Sequence, residues 1–534
     1  MEVMLNRKKY KLTCTGLLLL FALIAVLIVV MQSLVFAVSS INIPEIPPFP
    51  AIISTGNTYH VSKDIGSNLN DGSSEHPWKT LQYGVDQVKA GDTLIVHATP
   101  AGYNEWVYIS NSGTESNWIT IKGRDGEDGQ KVIITDYELR LKSSAAYISV
   151  ENINIHGKYW STLFLNSNTH HLAFNNIEID CQNSSENYTG VVVHEGVNNV
   201  WFRDMYIHNC GYEKLSPTDA SGVYMMRHLS TDPLITDIVF MNVTVRDNNG
   251  DGISSTAVDS VYFDRCNVTN NTGDGYDIYA RTRAVFKDII SAENGEGLRY
   301  QGVGIKAWSK ETWLINALIY KNYYDGVLFQ SVEDNSKFFV LNSTFVDDVF
   351  YNRSGYGTNQ VYLYNNVFYP LNAYPPTVIF EDISKQTLAG EDNNYYFSDN
   401  NAVAFKYKEG GKTRNYTFKE MGDGTWYKST GYGSKNIGII GSLDHLPDPG
   451  FTDTYNNLFS LKKGSLAIDA GIDLSLIFDN YDKTRICNRN PDIGAIEYCS
   501  CPNESIPANS GQLCSDLVLI DRMAPVAPKR LRIL

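Results

Sequence analysis

Two short stretches hold side chains that could act together. Asn248 to Ile253 reads NNGDGI and Asn270 to Ala280 reads NNTGDGYDIYA, which sets Asp251, Asp274 and Asp277 beside glycines. Three carboxylates gathered in one place repel one another unless they are protonated or bridged by a cation. Calcium is the natural bridge, because it takes several oxygen ligands at about 2.3–2.6 Å and accepts irregular geometry. Asx-Gly pairs also serve simply as turns, since they supply left-handed backbone angles. Which role these acids have depends on whether the fold brings them together.

The elements that would position them follow a repeat. Nine runs with inward/outward alternation, VENINI, FNNIEI, FRDMYI, FMNVTV, FDRCNV, FKDIIS, INALIY, VLNSTF and LYNNVF, begin at Val150, Phe174, Phe202, Phe240, Phe263, Phe286, Ile315, Val340 and Leu363. Their spacings are 24, 28, 38, 23, 23, 29, 25 and 23, a basic period near 23 with insertions. A fixed period of short strands with Gly and Asn turns predicts a parallel β-helix, a single-chain solenoid in which each coil stacks on the last. Leucine-rich repeats have a similar period, but their leucine skeleton is missing here. Ile153, Ile177, Met205, Val243, Cys266 and Ile289 share one register position and are expected to form an internal ladder, making Cys266 a buried thiol. Cys181 and Cys210 follow their anchors by seven and eight residues on adjacent coils, close enough to pair.

Counting from the anchors gives the acids a common corner. Asp251 is Phe240 plus 11, Asp274 is Phe263 plus 11, and Asp277 lies three residues further along. The coil from Phe286 to Ile315 is six residues over the period, and ENGEGLRYQGVGIKAW contains the surplus. Subtracting six puts Lys306 in the register of Asp277. If the surplus falls after Leu298 instead, Arg299 is the neighbour. A lysine or arginine beside an acid cluster is a better candidate for chemistry than an isolated surface cation.

Composition bounds the partners. The chain has 534 residues, 43% apolar and 19% charged, enough for a large core. A net charge of −15 argues against a nucleic-acid partner, which needs a basic face, and an anionic ligand would need a bridging cation. Arg7, Lys8, Lys9 and Lys11 precede an apolar run from Gly16 to Ala37, so residues 1–37 read as a signal peptide or an uncleaved signal anchor, and the remainder as extracellular or on the cell surface. Residues 38–57 form a proline-rich spacer, 58–145 an N-terminal cap and first coils, 146–370 the β-helix with its groove, 371–500 a loop-rich C-terminal cap, and 501–534 a Cys/Pro-containing tail. In the first cap, Leu81, Val85 and Val88 suit a short amphipathic helix over the open end of the stack. Cys487, Cys499, Cys501 and Cys514 could form two disulfides in three pairings, and the lack of a CxxC argues against zinc. Nine Asn-x-Ser/Thr sequons, among them Asn183, Asn242 and Asn415, permit glycosylation.

The stretch from Asn248 to Gln330, with NGDGI, NTGDGYDI, ENG…GVGIKAW and YYDGVLFQ, resembles the catalytic coils of polysaccharide lyase family nine, calcium-dependent pectate lyases built on a right-handed parallel β-helix. VSKDIGSNLNDGSSEHPWKTLQYGVDQVKAGDT resembles the opening module of that family and of other secreted β-helix proteins. The resemblance implies an all-β fold, calcium as cofactor with Asp251, Asp274 and Asp277 as ligands, and Lys306, in GIK, as the base. The family places two consecutive acids before the glycine, whereas Gly273 stands at the first position here, and Asn271 or a water is placed to compensate. The implied reaction is β-elimination on an acidic polysaccharide such as pectate, with Tyr276, Tyr279, Arg281, Arg283 and Trp308 as sugar-stacking and carboxylate-binding groups. The alternative from another class is a noncatalytic carbohydrate-binding or adhesive β-helix whose acids are turn residues. His170, His171 and His228 lack a partner motif and read as surface or loop residues.

Overall fold

The computed structural model describes residues 41–186, 189–211, 220–295, 302–353, 355–370, 377–398, 402–409, 412–440, 451–453, 457–472 and 491–495. The expected signal or anchor, the four C-terminal cysteines and the tail lie outside these residues. Among the described residues no helix is long and apolar enough to cross a membrane. The described residues from 46 to 472, with 491–495, belong to one compact unit, to which the following description applies.

Alternating apolar residues stack coil on coil. Phe174, Phe202, Phe240, Phe263 and Phe286 pair in parallel, each with the next, and their rings stack with centroids 4.9 to 5.4 Å apart. That spacing is close to the roughly 4.8 Å between neighbouring strands, so every ring covers the one before it. The result is a right-handed parallel β-helix of about 11 turns. Each coil contributes to three faces. The phenylalanines belong to the first, strands such as Asn267–Thr269, Ile290–Ala292 and Leu318–Tyr320 to the second, and Ile253–Ser255, the start of Tyr276–Lys287, the start of Ile305–Ile315 and Val327–Ser331 to the third.

Two devices turn the corners. The residue two beyond each anchor, counted from Leu314 in the coil where it replaces Ile315, has positive φ, from Asn152, Asn176, Asp204 and Asn242 through Arg265 and Asp288 to Asn316, Asn342 and Asn365. Short Asx side chains tolerate this left-handed conformation best, and they fill most of these positions. At the next corner a buried ladder runs up the stack. The Nδ2 of Asn248 donates to Asn271, Asn271 to Asn294, Asn294 to Asn322, and Asn322 to Asp348, over 2.9 to 3.0 Å. Asn248, Asn271 and Asn322 lie three residues before Asp251, Asp274 and Asp325, so the ladder fixes the backbone from which those acids project.

Helix α1 (Leu81–Gln87) packs Leu81 and Val85 onto the first strands, with Val88 buried just past its end. Thr80 caps it through Tyr83, and the Glu105 carboxylate accepts from the N–H groups of Leu81 and Gln82. Gly84 is required where it stands, because a Cβ there would lie 2.5 Å from Val61. Cys181 and Cys210 form a disulfide, and Cys266 is a free buried thiol that burial pushes up to about 12.

Three sequence-based expectations need correction. Phe286 pairs with Leu314 rather than Ile315, because the register slips by one residue between Ala280 and Arg283. The solenoid does not fade at Pro370. Val378–Phe380, Gln386–Asp392, Tyr395–Ser398 and Ile437–Ile440 extend its faces, and their weaker sequence periodicity reflects long intervening excursions. The C-terminal cap is not wholly loop. Helices α2 (Phe418–Gly422) and α3 (Thr425–Thr430) bury Phe418, Met421 and Trp426, the last against Phe405. Beyond them, Phe451, Phe459, Leu461 and Ile493 cover outward-facing Ile290, Leu318, Tyr320 and Val367 on the second face, so this segment lies along the side of the stack.

Candidate active site

The third face carries the acids and the lysine. Along Tyr276–Lys287 the alternation points Tyr276 and Ile278 inward and Asp277 and Tyr279 outward. Along Ile305–Ile315 it points Lys306 and Trp308 outward. Asp277 pairs directly with Lys306, and Tyr279 with Trp308. Asp251 and Asp274 stand at the corner just before these strands, one coil apart, where Gly252 N–H donates to Asp274 O.

The Lys306 ammonium lies 2.7 Å from Asp277 Oδ2 and 3.4 Å from Asp274 Oδ2. Asp274 Oδ1 accepts from the N–H groups of Gly302 and Val303 at 2.8 and 2.9 Å. Asp251 sits behind, 1% exposed, with Oδ1 accepting from Asp274 N–H at 2.8 Å and Oδ2 buried with no hydrogen-bond partner. One ammonium therefore faces three carboxylates.

This imbalance drives the electrostatics. Burial and the neighbouring Asp274 and Asp277 raise the Asp251 carboxyl well above the ordinary carboxylate range. Burial also raises Asp277, against the opposing pull of Lys306. Burial alone would lower Lys306, but Asp277 and Asp274 outweigh it and hold the ammonium above the ordinary lysine range. Both partners of the ion pair shift upward, Asp277 through burial with Asp274 adding to it and Lys306 through the carboxylates around it.

The residues offer the donor type that calcium prefers. They offer carboxylate oxygens, one of them an orphaned buried atom, and a single ammonium offsets three acids. Gly273 cannot add another acid on this backbone, because a Cβ there would lie 2.4 Å from Asp251 Oδ1 and 2.8 Å from the backbone of residues 250 and 251. Nor does Asn271 compensate. It is a ladder residue, 1% exposed, whose Oδ1 accepts from Asn248 and whose Nδ2 donates to Asn294 and Val245 O, which corrects its reading as a metal ligand.

Other predicted site residues divide. Tyr276 is fully buried, edge-on to Phe263 and Phe286, so it is a core residue and not a sugar platform. Tyr279 and Trp308 are half-buried on the outward side with ring centroids 6.2 Å apart, beside Asp277 and Lys306. Arg281 is exposed, while Arg283 pairs with Glu311 at 3.1 Å. Arg299 lies outside the described residues. Asp325, in the YYDGVLFQ stretch, repeats the corner of Asp251 and Asp274 two coils beyond Asp274, with Val303 between. Burial, reinforced by Asp274, pushes its carboxyl up to about 7, and its Oδ2 is buried without a hydrogen-bond partner. The signal for it was the recurring acid-glycine pair at one register.

The chain is similar to several known proteins. The crystal structure of pectate lyase Pel9A superposes with a TM-score of 0.46 at 15% identity, covering 83% of this chain and 97% of that one. An alginate lyase from Paenibacillus sp. str. FPU-7 gives 0.38 at 16% identity, covering 60% and 99%. The uncharacterized protein YwoF of Bacillus subtilis (strain 168) is 30% identical over 91 residues, a stretch spanning 16% of this chain and only 19% of YwoF. Residues 59–365, more than half of the 534, match the family described as Pel9A-like, right handed beta helix region. The chain belongs to that Pel9A-like right-handed β-helix family.

Proposed function

We propose that the protein is an exported polysaccharide lyase that cleaves a uronate-containing polymer such as pectate by calcium-dependent β-elimination. The observation that carries this reading is the amine of Lys306 held on an outward face between Asp277 and Asp274, with the orphaned Asp251 oxygen behind. Bound at these carboxylates, calcium would neutralise the cluster and acidify the substrate proton beside a uronate carboxylate. Lys306 is the group positioned to take that proton, and the glycosidic oxygen would leave from the adjacent carbon. In the metal-free arrangement Asp277 and Asp274 keep Lys306 protonated, so catalysis requires relief of their charge. An alkaline optimum follows, because only the neutral amine is a base. Tyr279 and Trp308 would carry sugar rings alongside. With three acids and no fourth at Gly273, calcium binding is expected to be weak.

The test is to incubate the full chain with polygalacturonate, with added calcium and then with chelator, and follow the ultraviolet absorbance of the unsaturated product. Calcium-dependent signal lost in Lys306→Ala supports the lyase. No product from several uronate polymers, with polymer still retarding the protein in affinity electrophoresis, supports a noncatalytic carbohydrate-binding β-helix, a reading that the closed space at Gly273 favours.

A further inference from the structure

A second set of ligand atoms stands on the same face, upstream of the acids. His194 directly follows the strand Thr189–Val193, in which Val191 and Val193 are core, so alternation continues with Val192 and His194 outward. Backbone pairing steps from His194 to Met226 and Thr256, and Tyr279 N–H on the next coil donates to Ser255 Oγ, three coils in all, or about 14 Å at roughly 4.8 Å per coil. Glu195 Oε2 lies 3.4 Å from His194 Nδ1 and 3.1 Å from His228 Nδ1. The three ligand atoms are all within 4.8 Å of one another.

We propose that His194, Glu195 and His228 form a binding site for a zinc-class divalent cation, separate from the acidic cluster around Lys306. Two imidazole nitrogens and one carboxylate oxygen are a donor set suited to zinc, and three protein ligands leave a fourth position open to an outside group. Calcium, which prefers oxygen, would favour the aspartates instead. The spacing suits zinc too. With bonds of about 2.0–2.1 Å, tetrahedral ligand atoms sit about 3.3 Å apart, and both separations from Glu195 Oε2 already match this.

The set is pre-organised by its neighbours. Ser167 Oγ donates to Glu195 Oε1 at 2.5 Å, which orients the carboxylate. The His194 ring packs on Phe164 with centroids 4.7 Å apart and on His228 at 5.0 Å. The His228 loop is braced by Arg227, whose guanidinium donates to Leu229 O and Ser230 O, and by Asp232, which accepts from Leu229 N–H. His194 Nε2 is buried with no hydrogen-bond partner, so the Glu195 carboxylate at Nδ1 is the polar contact recorded for the ring, and a cation there would take a bond from each of the two groups in its place. The nearby Arg140 guanidinium is neutralised by Glu138 at 2.6 Å and does not bar a cation. An ion here would be placed to take a carboxylate or hydroxyl further along a polymer bound over Lys306. That last point rests on the lyase reading, whereas metal binding does not.

The experiment titrates Zn²⁺ into chelator-treated full-length protein by calorimetry, with Co²⁺ substitution as the spectroscopic readout. The expected result is one tight equivalent, weakened at least tenfold in His228→Gln and in Glu195→Gln but retained in Asp277→Asn, with cobalt giving the strong visible bands of a four-coordinate site. His228 is half-exposed, so His228→Gln should melt as wild type does without metal. Lack of a stoichiometric equivalent, affinity unchanged in both ligand variants, or binding abolished by Asp277→Asn would each overturn the proposal. None of these outcomes depends on turnover of any polysaccharide.

Discussion

Replacing Asp277 by Asn tests directly whether the carboxylate cluster holds the proton on Lys306. The substitution keeps the shape and hydrogen-bonding capacity at the 2.7 Å contact but removes its charge. At an effective dielectric near 20, unit charges about 4 Å apart interact by about 4 kcal/mol. Both side chains are partly open to water, Lys306 26% and Asp277 21% exposed, and screening cuts this to about 2 kcal/mol. Asp274 remains 3.4 Å away, so the ammonium is still stabilised, only less so. A change of about 2 kcal/mol corresponds to roughly a 30-fold larger fraction of neutral amine at any pH well below the lysine's own pKa. Trace acetylation in the presence of chelator, read by mass spectrometry of the Lys306 peptide and normalised to the exposed Lys89, reports that fraction as a rate. Asp277→Asn is expected to label Lys306 ten- to thirty-fold faster than wild type. A rate within twofold of wild type would refute the electrostatic account, and with it the need for charge relief before Lys306 acts.

Lys306→Arg should keep the ion pairs and the melting temperature while abolishing calcium-dependent product formation, because guanidinium does not deprotonate; retained turnover would remove Lys306 from the role of base. Asp325 and Glu391 are each pushed up to about 7 by burial, so between about pH 4 and pH 7 they hold protons in the folded state that the unfolded chain has lost. Metal-free stability should therefore fall by a few kcal/mol as pH rises through that window and then level off, and urea unfolding of Asp325→Asn should show a shallower fall. Glu178, held down at about 2 by His156 and His208 against burial, acts in the opposite sense only at more acid pH. Asp348→Asn should stabilise the protein by about 1–2 kcal/mol at pH 8, since Asp348 ends an amide ladder where burial penalises its charged form, a penalty that a neutral amide accepting from Asn322 does not carry. Reducing Cys181–Cys210, which closes a 29-residue separation, should cost about 3–4 kcal/mol by the chain-entropy estimate, visible as a lower melting temperature with reductant.

Much of this architecture was legible because a solenoid converts sequence spacing into spatial proximity. The phenylalanine period gave the first face, and adding 11 to Phe240 and Phe263 put Asp251 and Asp274 at one corner. Lys306 fell in line with Asp277 because its six extra residues precede the strand. The same counting failed at Ile315, where the one-residue slip after Ala280 leaves no trace in composition. Tyr276 was misassigned for a different reason: inward and outward positions alternate, and an aromatic suits either, so only the phase of the strand decides. Asn271 looked like a spare oxygen donor, yet the ladder that it joins is visible only once Asn248, Asn271, Asn294 and Asn322 are seen to stack. His194 and Glu195 could not be tied to His228 by period, because the long 38-residue coil between Phe202 and Phe240 carries His228 on a loop outside the repeat.

The two devices at the corners explain why a buried anionic cluster can persist at all. Asparagine amides satisfy one another and the backbone inside the stack without charge, so coil-to-coil register does not rest on the acids alone. Asp251 and Asp274 each spend one oxygen, Oδ1, on backbone N–H groups of the next coil, which leaves their Oδ2 atoms and Asp277 to carry repulsion that the fold absorbs elsewhere. Repulsion of that kind, relieved when a cation or a proton arrives, is a property of binding sites more than of turns. A turn needs only the left-handed angle, which Asn152, Asn176, Asn242 and Asn316 supply without charge. The acids that carry an unmet charge are instead found where the third face meets its corner, next to the amine and the rings of Tyr279 and Trp308.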